Sequence, residues 1–218
     1  MPGAPRGPND SLIISYLALR TTIGVLGMAL PFAVAVGAWL IFQRGLQESI
    51  SAYYYTGTRG VFVGTLWAIG VFLFAYRGYD KWDRLAGYLA CLFAIGASLF
   101  PTAPDCQQCS YSKLSADLHA IFATLLFLTL SSISLFLFRQ TDPTQTPTKQ
   151  KLQRNVVYLV CGIIMLGAIV LVPVVWFVPA VATATAAYRP VFWLESIAIV
   201  AFGVSWFTKG EAILADEE

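Results

Sequence analysis

A short polar stretch between the first two long apolar segments holds the residues best suited to chemistry. It reads LQESISAYYYTGTRGVFVG, from Leu46 to Gly64, and combines a carboxylate, small hydroxyls, consecutive tyrosines and a guanidinium: Glu48, Ser49, Ser51, Tyr53, Tyr54, Tyr55, Thr56 and Arg59. Tyrosine has an apolar ring with a polar tip, and arginine offers a planar fork of donors to a carboxylate or a phosphate. The stretch therefore predicts either a binding surface for the polar end of an amphiphile or an aromatic belt at a membrane interface.

Two later apolar segments begin with further ionisable groups. The fourth segment contributes Ser115, Asp117 and His119, and the sixth contributes Tyr188, Arg189 and Glu195. Ionisable side chains within a membrane are costly, so each of them is a functional hypothesis by default. The alternative is that they pair with one another and close the helix bundle.

His119 is the only histidine of the chain, and it is the candidate general base or proton sensor. Its candidate carboxylate partners are Glu48, Asp117 and Glu195. Ser115 lies four residues before His119 and shares its helix face, whereas Asp117 lies two residues before it and points roughly the other way. A direct Asp117–His119 pair on one regular helix is therefore not expected.

The sequence predicts no metal and no cofactor. Zinc usually takes three or four His, Cys or carboxylate ligands, and a chain with one histidine would have to complete that set with acidic residues. No P-loop, GxSxG motif or glycine-rich dinucleotide fingerprint is present. Cys106 and Cys109 form a CQQC motif, for which we predict a disulfide in an oxidising compartment.

The composition indicates a membrane protein that must position these groups with helices. Hydrophobic residues make up 57% of the 218 residues and charged residues only 12%, against roughly 25% charged in a soluble domain. The net charge of +2 is too small to suggest a nucleic-acid partner. The membrane itself is therefore the expected environment.

Six apolar segments approach the roughly 20 residues that a spanning helix needs. Their predicted bounds are Thr21–Phe42, Gly60–Tyr76, Leu85–Phe100, Leu114–Phe138, Val156–Val178 and Val191–Phe207. The predicted fold is an all-α bundle of six transmembrane helices over residues 21–208. A polar or interfacial N-terminal segment (1–20) precedes it, and an acidic C-terminal tail (209–218) follows.

The distribution of Lys and Arg predicts the orientation, because cytoplasmic loops carry an excess of both residues. One side of the predicted bundle has ten of them: Arg6, Arg20, Arg77, Lys81, Arg84, Arg139, Lys149, Lys151, Arg154 and Lys209. The other side has four: Arg44, Arg59, Lys113 and Arg189. Both termini are therefore expected in the cytoplasm of a cell whose inner membrane holds this multi-pass protein.

Several short motifs together resemble a group of bacterial six-helix inner-membrane proteins without an assigned function. The motifs are ISAYYYTGTRGVFVG, the FPT that closes the third segment, the lone histidine of the fourth and the ending FWLESIAIVAFGVSWFTKGE. The pattern is also similar to the DRAM/Sfk-type six-helix membrane proteins, which have an Ile-Ser motif in the outer loop before helix two. This resemblance implies a lipid-associated role, with Ile50, Ser51 and His119 as the matching positions. The tyrosine run and Arg59 match only the nearer group.

The leading functional prediction is a pocket that faces the outer leaflet and binds a lipid or small amphiphile without catalysis. We expect four of the ionisable residues to converge there: Glu48, Arg59, His119 and Glu195. One alternative is a membrane-embedded enzyme that modifies a lipid and uses His119 with a carboxylate. Another is a small transporter or channel, in which His119 and Glu195 would line the path.

Overall fold

The part of the chain that the structure describes is mainly helical. The computed structural model describes residues 8–76, 78, 80–104, 109–141, 144 and 146–215, with side chains from residue 16 onwards. Over these residues there is no strand, which confirms the all-α class. The α-helices are α1 (Pro8–Phe42), α2 (Arg59–Ala75), α3 (Lys81–Leu99), α4 (Lys113–Ser132), α5 (Lys149–Phe177), α6 (Pro179–Thr185) and α7 (Pro190–Lys209).

Four helical stretches are long and apolar enough to cross a membrane, as expected of a membrane protein. They are Tyr16–Phe42, Lys113–Leu137, Lys149–Phe177 and Pro190–Lys209. The second of them includes a π-helical turn, Ile133–Leu137, which continues α4. Helices α2 and α3 are not among these four stretches. Helix α2 is apolar but has 17 residues, and α3 begins with a charged turn.

The helix boundaries depart from the predicted ones where a capping residue or a proline determines them. Helix α1 begins at Pro8, so residues 11–20 extend it. Helix α5 begins at Lys149 and not at Val156, because the Thr148 side chain accepts a hydrogen bond from the backbone N–H of Lys151 and caps the helix. The short α6 was not predicted. It raises the number of α-helices in the described ranges to seven, with Pro179 in its first turn.

The helices alternate in direction, so their connections meet at two ends of the bundle. At one end, Arg20 of α1 contacts Tyr76 after α2 and the last residue of α7, Lys209. At the other end, the α1–α2 connection contacts the residues after α3 and the start of α7. We call these the Lys209 end and the Glu195 end.

Helix α7 occupies the centre of the bundle and packs on α1 and α5. In its apolar stretch 56% of the residues are buried, against 22–28% in the other three stretches. The contact with α1 is close enough to bring the two backbones together. A Cβ atom added at Gly24 would lie 2.5 Å from the backbone nitrogen of Phe207, and one added at Gly203 would lie 2.6 Å from that of Met28. Small residues at these two positions therefore allow the helices to pack closely, as in other membrane bundles.

We expect Gly24→Ala to lower the free energy of unfolding by about 1–3 kcal/mol, since overpacking against a fixed backbone has that cost. Gly167→Ala in α5 is the matched control, because an added Cβ there meets nothing within 4 Å. Thermal unfolding of the purified protein in detergent measures both. Equal unfolding temperatures for the two variants would contradict the close α1–α7 contact.

Candidate functional site

The α1–α2 connection is folded into the Glu195 end of the bundle. Ile50 and Tyr53 are fully buried, and Ser51–Tyr55 forms a 3-10 helix. The backbone N–H of Ala52 donates to the Ser49 hydroxyl at 3.0 Å, which stabilises the entry into this turn. We call residues 49–55 the cap segment, since it covers the helix ends at this side.

A carboxylate from α7 holds the cap segment in place. The Oε2 atom of Glu195 accepts hydrogen bonds from the backbone N–H of Ile50 at 2.7 Å and of Ser51 at 3.4 Å. A single carboxyl oxygen has lone pairs enough to accept two such hydrogen bonds. Glu195 therefore satisfies two backbone donors that the turn leaves without a helical partner.

The His119 ring connects the cap segment to α3 and α4. Its Nδ1 atom lies 2.8 Å from the carbonyl oxygens of both Ala97 and Phe100. Carbonyl oxygens only accept hydrogen bonds, so Nδ1 carries a proton. In the neutral ring Nε2 is then the acceptor, and the Ser51 hydroxyl, 2.9 Å away, donates to it.

Two small cavities lie beside this group of residues, with volumes of about 90 and 70 Å³. Ser51, His119 and Glu195 line both of them. The remaining lining of both is mostly apolar and comes from α4, α7 and neighbouring helices. Because one water molecule takes about 30 Å³ of liquid volume, each cavity has room for a group of a few heavy atoms.

The structure brings together two of the four residues that were expected to converge, His119 and Glu195, and adds Ser51 between them. The side chain of Glu48 instead forms an ion pair with Arg189, and both side chains are partly exposed, at 45% and 35%. Arg59 donates to the Tyr54 hydroxyl and lies over its ring, 3.9 Å from the centroid. Glu48 and Arg59 line neither cavity.

The start of α4 has the geometry expected from its spacing. The Ser115 hydroxyl donates to the Pro101 carbonyl, next to the Phe100 carbonyl that His119 contacts, so the two side chains share a face. Asp117 points elsewhere and pairs with Lys113 at 2.6 Å, exposed to the surroundings. Asp117 is therefore not the partner of His119.

The tyrosines divide between the interior and the surface. Tyr53 is buried beside Phe192, with 6.3 Å between ring centroids, and its hydroxyl accepts a hydrogen bond from the backbone of Gln47. Burial raises the pKa of the Tyr53 phenol above its ordinary value, so this hydroxyl stays protonated. Tyr55 donates to the Thr102 carbonyl at 2.6 Å, and Tyr188 is exposed.

The predicted disulfide stays a prediction. Cys106 lies outside the described residues, while Cys91 and Cys161 have free thiols. Within the described ranges, no group of three or more His, Cys, Asp or Glu side chains is placed to hold a metal ion.

Sequence reasoning missed the backbone partners of this site. The carbonyls of Ala97 and Phe100 and the N–H groups of Ile50 and Ser51 have no side-chain signature in the sequence. The FPT motif after α3 is the one available signal, since proline ends the helix and frees carbonyl oxygens near His119.

No known protein family, curated protein or solved structure matches this chain. The resemblance to the DRAM/Sfk-type proteins therefore stays a hypothesis. Function has to be inferred from the residues of the site and their contacts.

We expect Glu195→Ala to lower the free energy of unfolding by about 1–3 kcal/mol, because two N–H groups of the cap segment lose their acceptor. Glu195→Gln keeps an acceptor oxygen and should cost less. Glu48→Ala is the control: its ion pair is partly exposed, so its loss should cost about 0–1 kcal/mol. Thermal unfolding compares the three variants, and a larger effect of Glu48→Ala would contradict this role of Glu195.

Proposed function

We propose that the chain is a multi-pass protein of the inner membrane, with six spans and both termini in the cytoplasm. Helices α2 and α3, of 17 and 19 residues, fall within the range of about 17–25 residues for a spanning helix. With the four longer helices they make six alternating spans. The short α6 has 7 residues and belongs to the connection before α7.

The cations at the Lys209 end support a cytoplasmic position for that end. Arg20, Lys151, Arg154 and Lys209 lie there, in accordance with the positive-inside rule. The Glu195 end, with the cap segment and its cavities, would then face the outer leaflet.

Labelling of single cysteines in spheroplasts with a membrane-impermeant maleimide tests this topology. In a background with the native cysteines replaced by serine, Tyr111→Cys should react and Gln140→Cys should not. Both positions are exposed, and they lie beyond the two opposite ends of the α4 stretch, so their reactivities can be compared directly. If Gln140→Cys reacts and Tyr111→Cys does not, the protein has the opposite orientation in the membrane.

We propose that the Glu195 end binds the polar group of a lipid or small amphiphile, without catalysis. The observation that supports this most strongly is the position of Ser51, His119 and Glu195 on the walls of two cavities. A hydroxyl, an imidazole and a carboxylate offer both donors and acceptors to a small polar group. The apolar remainder of the lining suits the adjoining hydrocarbon.

An apolar groove on the outside of the bundle is further evidence for an amphiphilic ligand. Between α1, α5 and α7 lies an apolar groove of about 680 Å³, lined by residues such as Phe32, Val160 and Trp193. A groove of that composition in a bilayer accommodates hydrocarbon chains.

An enzyme that acts on a lipid ester is the alternative function, and the 2.9 Å contact between Ser51 and His119 favours it. A serine hydroxyl that donates to a histidine is the arrangement of an activated nucleophile and its base. However, the N–H groups of Ile50 and Ser51, which are the nearest candidates to stabilise an oxyanion, donate to Glu195 instead. Binding without catalysis is therefore the better-supported function.

Mass spectrometry of lipids that co-purify with the protein in a mild detergent tests the binding proposal. His119→Ala removes the imidazole from both cavity walls, and Glu195→Gln replaces the carboxyl group there with an amide that has one acceptor oxygen and no negative charge, so both variants should lose the co-purified ligand. Asp117→Asn is the control, since Asp117 lies on the same helix as His119 but pairs with Lys113 in an exposed position. Unchanged ligand content in folded His119→Ala and Glu195→Gln would refute the proposal.

The same preparations also test whether the protein is an enzyme and not only a binding protein. A fluorophosphonate reagent should leave the protein unmodified if Ser51 is only a binding group. Covalent labelling that is lost in both Ser51→Ala and His119→Ala would instead favour the lipid-modifying alternative.

A further inference from the structure

One carboxyl oxygen of Glu195 is left for a ligand. The Oε2 atom accepts both hydrogen bonds from the cap segment, whereas Oε1 has no hydrogen bond or ion pair with any residue that the structure describes. The Arg189 guanidinium, a cation of the same end, pairs with Glu48 instead. The Oε1 atom has accessible surface, and Glu195 lines both cavities, so this acceptor is open to a ligand there.

A proline in α5 provides a second acceptor beside the larger cavity. Pro173 lies inside the helix and has no N–H group, so the carbonyl oxygen of Ile169, four residues earlier, lacks its usual helical partner. Both residues line that cavity. In a membrane helix a carbonyl group freed in this way needs another donor, since lipid tails provide none.

The remaining polar lining of the larger cavity adds hydroxyls and no cation. Three residues supply these hydroxyls, which can turn to accept a hydrogen bond: Ser49, Thr102 and Thr124. The N–H group of His119 is already used by carbonyls outside the cavity, and its Nε2 atom accepts from Ser51. Among the described lining residues there is no Lys or Arg. The cavity therefore offers mainly acceptors.

A primary ammonium group matches such a lining. It has a positive charge and three N–H donors, as the end of a lysine side chain does. An anion would meet the Glu195 carboxyl group without a cation beside it, and a hydroxyl group brings a single donor. A quaternary ammonium has no N–H group, so it would leave the carboxyl and carbonyl oxygens unmatched.

The larger cavity is accessible from the bilayer between α4 and α5. Thr124 of α4 and Trp176 of α5 both line it, and both are exposed on the outside of the bundle. Tryptophan is also the aromatic residue that attracts cations most strongly. With a volume of about 90 Å³, the cavity has room for an ammonium group and one or two carbon atoms. The attached hydrocarbon chain then stays in the surrounding lipid.

We propose that the larger cavity binds the primary ammonium group of an amphiphile, with Glu195 as its counter-ion and the Ile169 carbonyl as a second acceptor. The ammonium group belongs either to the head group of an aminophospholipid or to a free long-chain amine. This inference rests on the proposed binding function and adds the chemistry of the bound group.

Thermal unfolding of the full chain in phosphatidylcholine nanodiscs tests it with four probes of equal chain length. The probes are decylamine, decyltrimethylammonium, decanol and decanoate. Decylamine is protonated at neutral pH, as a lysine side chain is. It should raise the unfolding temperature with an apparent affinity about tenfold or more above that of the other three, since only it pairs and donates to Glu195.

Nanodiscs that contain phosphatidylethanolamine identify the source of the ammonium group. A higher unfolding temperature in phosphatidylethanolamine than in phosphatidylcholine would indicate the phospholipid head group. A response to decylamine alone would indicate a free amine.

Two substitutions of equal charge make the test specific. Glu195→Gln removes the counter-ion but keeps an acceptor oxygen for the cap segment, so it should weaken the apparent affinity for decylamine about tenfold or more. Glu48→Gln removes the same charge from a partly exposed position outside both cavities and should keep the response.

Pro173→Ala tests the second acceptor and decides the matter if Glu195→Gln does not fold. The new N–H group at position 173 can bond to the Ile169 carbonyl, so the affinity for decylamine should fall about threefold or more. Gly167→Ala is the control in the same helix, because it lines neither cavity and its added Cβ meets nothing within 4 Å.

The contrary outcomes separate this inference from the proposed function. Equal responses to decylamine in Glu195→Gln and Glu48→Gln would show adsorption to the membrane surface only and overturn the ammonium site. A Glu195-dependent response to decanol, decanoate or decyltrimethylammonium as strong as that to decylamine would also overturn it, yet would leave the binding function intact. The absence of a Glu195-dependent response to every probe and to phosphatidylethanolamine would count against both.

Discussion

The hydrogen bonds from the cap segment to Glu195 are the constraint on which the Glu195 end depends. A connection between two apolar helices can fold inward only if its backbone N–H groups find acceptors. Glu195 provides that acceptor for Ile50 and Ser51 from the neighbouring α7. With Ser51 held in this position, its hydroxyl lies within reach of His119, and the two cavities form beside that pair.

Buried polar side chains have different kinds of contact at the two ends of the bundle. At the Glu195 end the acidic and imidazole groups contact backbone atoms of the cap segment and of the residues after α3. At the Lys209 end cations pack against aromatic rings, and the buried carboxylate of Asp83 lies within electrostatic reach of Lys209. Between the ends, the backbones of α1 and α7 approach each other closely at Gly24 and Gly203.

Much of the architecture follows from hydrophobicity and helix periodicity. The all-α class and the shared face of Ser115 and His119 could be predicted, because they depend on local spacing alone. The partners of Glu48 and Arg59 could not, since they depend on how the cap segment folds. Glu48 forms an ion pair with Arg189, which lies far from it in the sequence. Arg59 instead donates a hydrogen bond to its near neighbour Tyr54.

Other features of the site have no signal in a single sequence. Glu195 has backbone partners, which any residue type supplies, and the depth of Lys209 depends on the packing of α7. A charged residue at the end of an apolar stretch resembles an ordinary interfacial anchor. Thr148, which caps α5, also lies in a polar region, where hydropathy does not distinguish a helix from a loop.

The central position of α7 has a consequence for the order in which the protein is made. Helix α7 follows the five other long helices in the chain, so the ribosome synthesises it after them. Its stretch is also the least hydrophobic of the four longest, with a mean hydropathy of 1.6 against 2.2–2.7. Until it enters the membrane, the surfaces of α1 and α5 that it covers remain open to lipid. The bundle therefore closes late in biogenesis, and the cap segment acquires its carboxylate only then.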